Sequence, residues 1–179
     1  MTRKAERMPD VAFRIMEMVF RIIDVFSPAE ERLDGFDIKN GDIIVDYGCG
    51  PGRYIRRASE LVGKNGMVYA VDIHELAIKA VKKKIDRYKL NNVMAVNVKG
   101  YECGIDNKSV DLIYALDVFH MINNPNAFLR EIHRVLKSTG RLIIDDGHQK
   151  RVVSREKING SKIWKIEKEN KEYLECIPI

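Results

Sequence analysis

Ile43-Ile44-Val45-Asp46-Tyr47-Gly48-Cys49-Gly50-Pro51-Gly52-Arg53 is the stretch that decides the fold. Apolar, β-favouring residues run into a carboxylate and then into three glycines at alternate positions. That is the pattern of a buried strand ending in a turn where backbone must touch a ligand. Glycine supplies positive φ and leaves no Cβ in the way. Beyond Gly52, Tyr54, Ile55, Ala58, Leu61 and Val62 fall at helical spacing, so the turn sits where a strand hands over to a helix N-terminus.

Two ligand classes suit such a turn, and the glycine spacing separates them. A dinucleotide fingerprint places glycines at relative positions 1, 3 and 6. Here they stand at 48, 50 and 52, and the sixth position is Arg53. The next carboxylate of the right kind is Asp72, closing the apolar run Met67-Val68-Tyr69-Ala70-Val71. At the end of a second strand it would accept hydrogen bonds from both ribose hydroxyls, while its charge would repel a 2′-phosphate. The expected ligand is a nucleoside without a pyrophosphate.

With Val71-Asp72 behind it, the run from Val45 to Gly52 resembles the class I S-adenosylmethionine-dependent methyltransferases. Ser109-Val110-Asp111-Leu112-Ile113-Tyr114 is similar to that family's fourth strand, and the run Phe128 to Lys137 to the helix before its fifth. Within the family the chain is most similar to the small-molecule branch that includes quinone-biosynthesis methyltransferases. The resemblance implies an α/β, Rossmann-like, seven-stranded, mostly parallel sheet with helices on both faces and the last strand antiparallel, plus extra N-terminal helices. It divides the chain into a helical extension, 1–35, and a cofactor-binding domain, 36–179, within a single domain overall.

The resemblance also implies S-adenosyl-L-methionine as cofactor and S-adenosyl-L-homocysteine as product. Asp46 and the backbone of Gly48, Cys49, Gly50 and Gly52 would hold the methionine end, and Asp72 the ribose. Gly100, Tyr101 and Glu102 would lie along the adenine, Ala115 and Leu116 beneath the methyl group. Tyr54 and Ile73 complete the set. At the position where the family often carries an acidic side chain for the adenine amino group, this chain has Lys99. Backbone near Gly100 and Tyr101 then holds the base, or Glu102 takes over, or cofactor affinity is modest.

The 179 residues leave room for one α/β core. A composition of 45% hydrophobic and 32% charged residues is ordinary for a globular protein. No apolar run is long enough to span a bilayer, and the N-terminus lacks a signal-peptide pattern. Cys49, Cys103 and Cys176 are scattered without metal-ligand spacing, which fits a reducing cytoplasm.

From Asp10 to Phe26, the charged residues Asp10, Arg14, Glu17, Arg21 and Asp24 occupy one helical stripe and everything else is apolar. Such a helix buries most of its circumference. It is wedged between core and C-terminal segment, or roofs the acceptor pocket, or pairs with a second chain as a homodimer. Ser27-Pro28-Ala29-Glu30 then has the chemistry of a helix start. Helices are predicted over His74–Tyr88, from Asn124-Pro125 to Ser138-Thr139-Gly140, and over Gln149–Ile158. Strands are predicted over Asn92–Val98, Val110–Leu116 and Arg141–Asp145, with a hairpin of Lys162–Lys168 and Lys171–Ile177.

The basic side of the helix at 74–88 has no interleaved aromatic residues to stack bases, so its charge reads as a solvated face. After the fourth strand, Asp117-Val118-Phe119-His120-Met121 carries neither the Pro-Pro-aromatic motif of base N-methyltransferases nor the Pro-Cys pair of cytosine-C5 enzymes. Nucleic acid is therefore not the expected partner despite a net charge of +5. The expected reaction is methyl transfer to a small, partly apolar molecule. RNA or protein methylation, or a non-catalytic cofactor-binding module, is the alternative. His120 and Asp117 lead a short set of candidate general bases with His148 and Asp146, and nothing in their spacing predicts a metal.

Overall fold

The computed structural model describes residues 7–26 and 29–179. Helix α1 spans Asp10–Phe26, and a 3₁₀ helix spans Ala29–Phe36. There follow β1 (Ile43–Tyr47), α2 (Ile55–Val62), β2 (Met67–Asp72), α3 (Glu75–Tyr88), β3 (Val93–Asn97) and β4 (Val110–Ala115). The remaining elements are α4 (Pro125–Val135), β5 (Leu136–Ile144), α5 (Arg151–Gly160), β6 (Trp164–Glu169) and β7 (Leu174–Pro178). Ser27 and Pro28 of the anticipated helix start lie outside the described residues.

The seven strands form one sheet in the order β3-β2-β1-β4-β5-β7-β6. β1 to β5 run parallel, and β7 enters antiparallel between β5 and β6. The strand order reverses at β1 and β4, the crevice where open α/β sheets bind ligands. Apolar residues cover both faces. Phe128, Leu129, Ile132 and Val135 of α4, with Ile158 of α5, pack on one side. Ala58 and Val62 of α2, with Leu33 and Phe36, pack on the other, where Ile55 also meets Val81 of α3.

One boundary differs from the sequence-based expectation. α4 stops at Val135 instead of running to Ser138-Thr139-Gly140, and β5 begins at once with Leu136. Fully buried Leu136 pairs with Val110 before the register shifts, and Leu112 pairs with Arg141. A Cβ on Gly140 would come within 2.6 Å of Leu136 Cγ, so the bulge closes only over glycine. Burial of Leu136 against the sheet overrides the turn chemistry of Ser-Thr-Gly. α5 also begins and ends two residues later than predicted.

α1 crosses above the carboxyl ends of the strands. Phe13 is buried and stacks on His74 with ring centroids 4.4 Å apart, and the Arg53 guanidinium sits 4.1 Å from the centre of the Phe20 ring. Its outer side leaves Val11, Ile15, Met18, Val19, Ile22 and Ile23 exposed. Among the described residues, no helix is long and apolar enough to cross a membrane.

Candidate active site

The chain turns sharply at the end of β1. Gly48 and Cys49 N–H groups both donate to the Val71 carbonyl, at 2.8 and 3.1 Å, and Gly48, Gly50 and Gly52 all have positive φ. The three glycines do different work. A Cβ on Gly48 would come within 2.6 Å of Val118 Cγ2, and one on Gly52 would press on Ile55 and Val81 at 3.1 Å. A Cβ on Gly50 would meet no atom within 4 Å, because Gly50 faces open space.

Asp72 stands beside it. Its Oδ2 accepts from Gly50 N–H at 2.9 Å and its Oδ1 from His74 N–H at 2.7 Å. Burial raises the Asp72 pKa, and these backbone donors hold it down in part. Asp46 lies deeper, with Oδ2 buried and unpartnered. Burial, and secondarily the charge of Asp72, pushes its carboxyl up to about 8.

The turn opens into a cavity of about 140 Å³. Asp72, Ile73, His74, Gly100 and Tyr101 line it. Tyr101 is fixed twice: its carbonyl accepts from Tyr47 Oη at 2.9 Å, and its hydroxyl accepts from Asn124 N–H at 3.0 Å. Leu116, Asp117, Val118, Met121 and Ile122 line the cavity too, as do Met8, Phe13, Met16 and Phe20. Asp117 takes a left-handed conformation, φ 56°, and its N–H donates to Asp145 Oδ1 at 2.7 Å. Arg32 holds the other Asp145 oxygen at 2.9 Å.

A family model described as a methyltransferase domain matches residues 38–178. The chain belongs to this methyltransferase family. Its fold is the class I, S-adenosylmethionine-dependent one: a methyltransferase of that kind from Aquifex aeolicus superposes with a TM-score of 0.85 at 21% identity, over 97% of this chain and 100% of the other. Human arsenite methyltransferase is 30% identical over 112 residues, 58% of this chain and 30% of that protein. Demethylmenaquinone methyltransferase from Listeria welshimeri is 25% identical over 152 residues, 74% of this chain and 64% of that protein. The chain thus spans less than two thirds of the length of these two curated relatives.

Of the positions the methyltransferase resemblance nominates for the cofactor, Gly48, Cys49, Gly50, Tyr54, Asp72, Ile73, Gly100, Tyr101 and Leu116 line the cavity. Asp46, Gly52, Glu102 and Ala115 do not. Asp46 and Ala115 are buried in the sheet, Gly52 faces helix side chains, and Glu102 is exposed. Asp117 lines the cavity. His120 stands behind it, against Gly147 and edge-on to His148 at 4.9 Å.

Sequence reasoning missed His74. It caps α3, accepting from Leu76 N–H through Nδ1 at 3.1 Å, and its buried Nε2 has no hydrogen-bond partner. Histidine is not among the usual helix-capping residues, so its place two residues after Asp72 carried no signal. Arg32 and Asp145, which brace Asp117, carried no local signal, being 113 positions apart.

Proposed function

We propose that this chain is an S-adenosylmethionine-dependent methyltransferase acting on a small, partly apolar acceptor. One observation carries the proposal: the open α-carbon of Gly50 and the Asp72 carboxylate meet inside a cavity that is otherwise lined largely by apolar side chains. The residues present fit the cofactor. Two carboxylate oxygens offer about four acceptor sites, and the described backbone donors to Asp72 leave room for ribose hydroxyls. The unpartnered Asp46 Oδ2 beneath the turn suits the neighbourhood of a cationic amino acid end. Gly100 and Tyr101 line the cavity where Lys99 and Glu102 are exposed, which favours backbone and ring contacts with the base.

The cofactor, when bound, supplies a methyl group already activated on a sulfonium. The protein's share is then mainly positioning. Gly50 lets main chain approach the ligand, Asp72 fixes its sugar, and Leu116 walls the reacting end. Met16, Phe20, Met121 and Ile122 shield that end from water and favour an acceptor with an apolar body. Where the acceptor must lose a proton, Asp117 is the carboxylate at hand. Cys49 does not suit a soft ion: burial raises its thiol pKa well above the usual value, and Sγ points to the Gly50 carbonyl at 3.7 Å.

Residues 1–35 act in this proposal as a helical extension on the domain 36–179, with α1 as roof, and a second copy of the chain covers its outer apolar face. The three buried free cysteines support a reducing, cytoplasmic setting. The test is transfer of labelled methyl from S-adenosylmethionine to a panel of phenols and hydroquinones, with bulk tRNA in parallel. Label on a small molecule supports the proposal. Label on RNA with steep salt dependence overturns the acceptor class.

A further inference from the structure

The adjacent carboxyl ends of β4 and β5 bring together three side chains far apart in sequence. Asp117, His120 and His148 each offer a ligand atom, and these atoms all lie within 4.8 Å of one another. Asp117 Oδ1 and His148 Nε2 are 3.8 Å apart. We propose that Asp117, His120 and His148 bind one divalent late first-row transition metal, with zinc as the reference ion, beside the cavity that Asp117 lines.

The donor set fits that class. Two imidazoles and a carboxylate suit zinc and its neighbours, whereas calcium and magnesium select oxygen ligands. Ligand atoms around a tetrahedral zinc at about 2.1 Å stand about 3.4 Å apart. With the Asp117–His148 pair at 3.8 Å and no pair beyond 4.8 Å, the separations need to close by at most about 1.4 Å, and the parts that must move can do so. The side chains of His148 and Asp117 are 83% and 51% exposed. His120 is the fixed member: it packs against Gly147, and its Nδ1 is buried without a partner.

The supports are rigid. Asp117 N–H is held by Asp145, which Arg32 braces, and His148 follows Asp146, whose oxygens are taken by Arg151 at 2.6 Å and Ser154 at 2.7 Å. The charges around His120 are mixed: Asp117 and Asp145 favour a cation, while Lys157, bonded to Gln149 Oε1 at 2.7 Å, opposes it. Three protein ligands leave a coordination position open, and Asp117 borders the cavity, which puts the proposed ion beside it. There a metal would lower the pKa of an acceptor hydroxyl or thiol. That use rests on the proposed methyl transfer; metal binding itself does not.

The test is calorimetric titration of the metal-stripped full chain with zinc chloride, repeated with cobalt(II) to read its visible absorption. One equivalent should bind with micromolar affinity, weakening at least about tenfold in His148→Ala and in Asp117→Asn. Asn tolerates the left-handed backbone at 117, so that variant keeps its fold. His133→Ala, far from the cluster, should bind as the wild type does. No saturable binding below millimolar zinc, or binding that both cluster variants retain, overturns the proposal. S-adenosylhomocysteine titrated into the same samples reports separately on the cofactor site.

Discussion

The backbone N–H of Gly50 donates to Asp72 Oδ2 at 2.9 Å, tying the glycine turn after β1 to the carboxylate that ends β2. Because Gly50 faces open space, Gly50→Ala should cost only the left-handed backbone penalty, about 1 kcal/mol, while cofactor affinity falls at least about tenfold. Gly48→Ala should behave differently, since its Cβ would collide with Val118 and lower the melting temperature much further. Thermal melts and calorimetry on the two variants separate a binding surface from a packing requirement.

Asp46 sets a pH dependence whose sign is fixed. Its folded pKa, about 8, lies above the ordinary carboxyl value, so the fold prefers the neutral acid. That contribution is complete below about pH 4 and is lost as pH rises through 8. Asp46→Asn removes the titrating group and should raise the melting temperature at pH 8 relative to wild type, with little change at pH 4. The same substitution should weaken cofactor binding. A melting difference that grows toward acid would contradict this assignment.

Arg32 reaches across the fold to Asp145, which in turn holds the Asp117 N–H. Arg32→Met leaves a largely buried carboxylate without its cation and should destabilise by about 2 kcal/mol. Asp117 lines the cavity, so under the proposed function KM for the acceptor should rise more than Kd for the cofactor. Equal effects on both would place Arg32 in a purely structural role.

The outward side of α1 exposes Val11, Ile15, Met18, Ile22 and Ile23 along one stripe. If a second copy covers it, wild-type protein sediments as a dimer and the double substitution Ile15→Glu, Ile22→Glu gives a monomer. A wild type that sediments as a monomer at tens of micromolar removes the homodimer.

Local pattern made β1, its turn and Asp72 legible, because alternating glycines and a strand-ending carboxylate each constrain backbone within a few residues. The helical character of 10–26 was equally plain. What it covers was not, since its apolar residues surround the axis and only tertiary packing decides that Phe13 turns in while Ile15 turns out. Leu136 misled for the same reason: burial against the sheet outweighed the turn residues after it. The grouping of Asp117, His120 and His148 depends on the neighbouring ends of β4 and β5, a consequence of strand order that no spacing in the chain records.

The central claim is that Gly50 and Asp72 together form the seat of an adenosyl amino acid. It is tested most directly by titrating S-adenosylhomocysteine into the wild type and Asp72→Ala by calorimetry, with folding of both checked by circular dichroism. One-to-one binding by the wild type, weakened at least about a hundredfold in a folded Asp72→Ala, is the predicted result. No binding by the folded wild type, or equal binding by both, would contradict it.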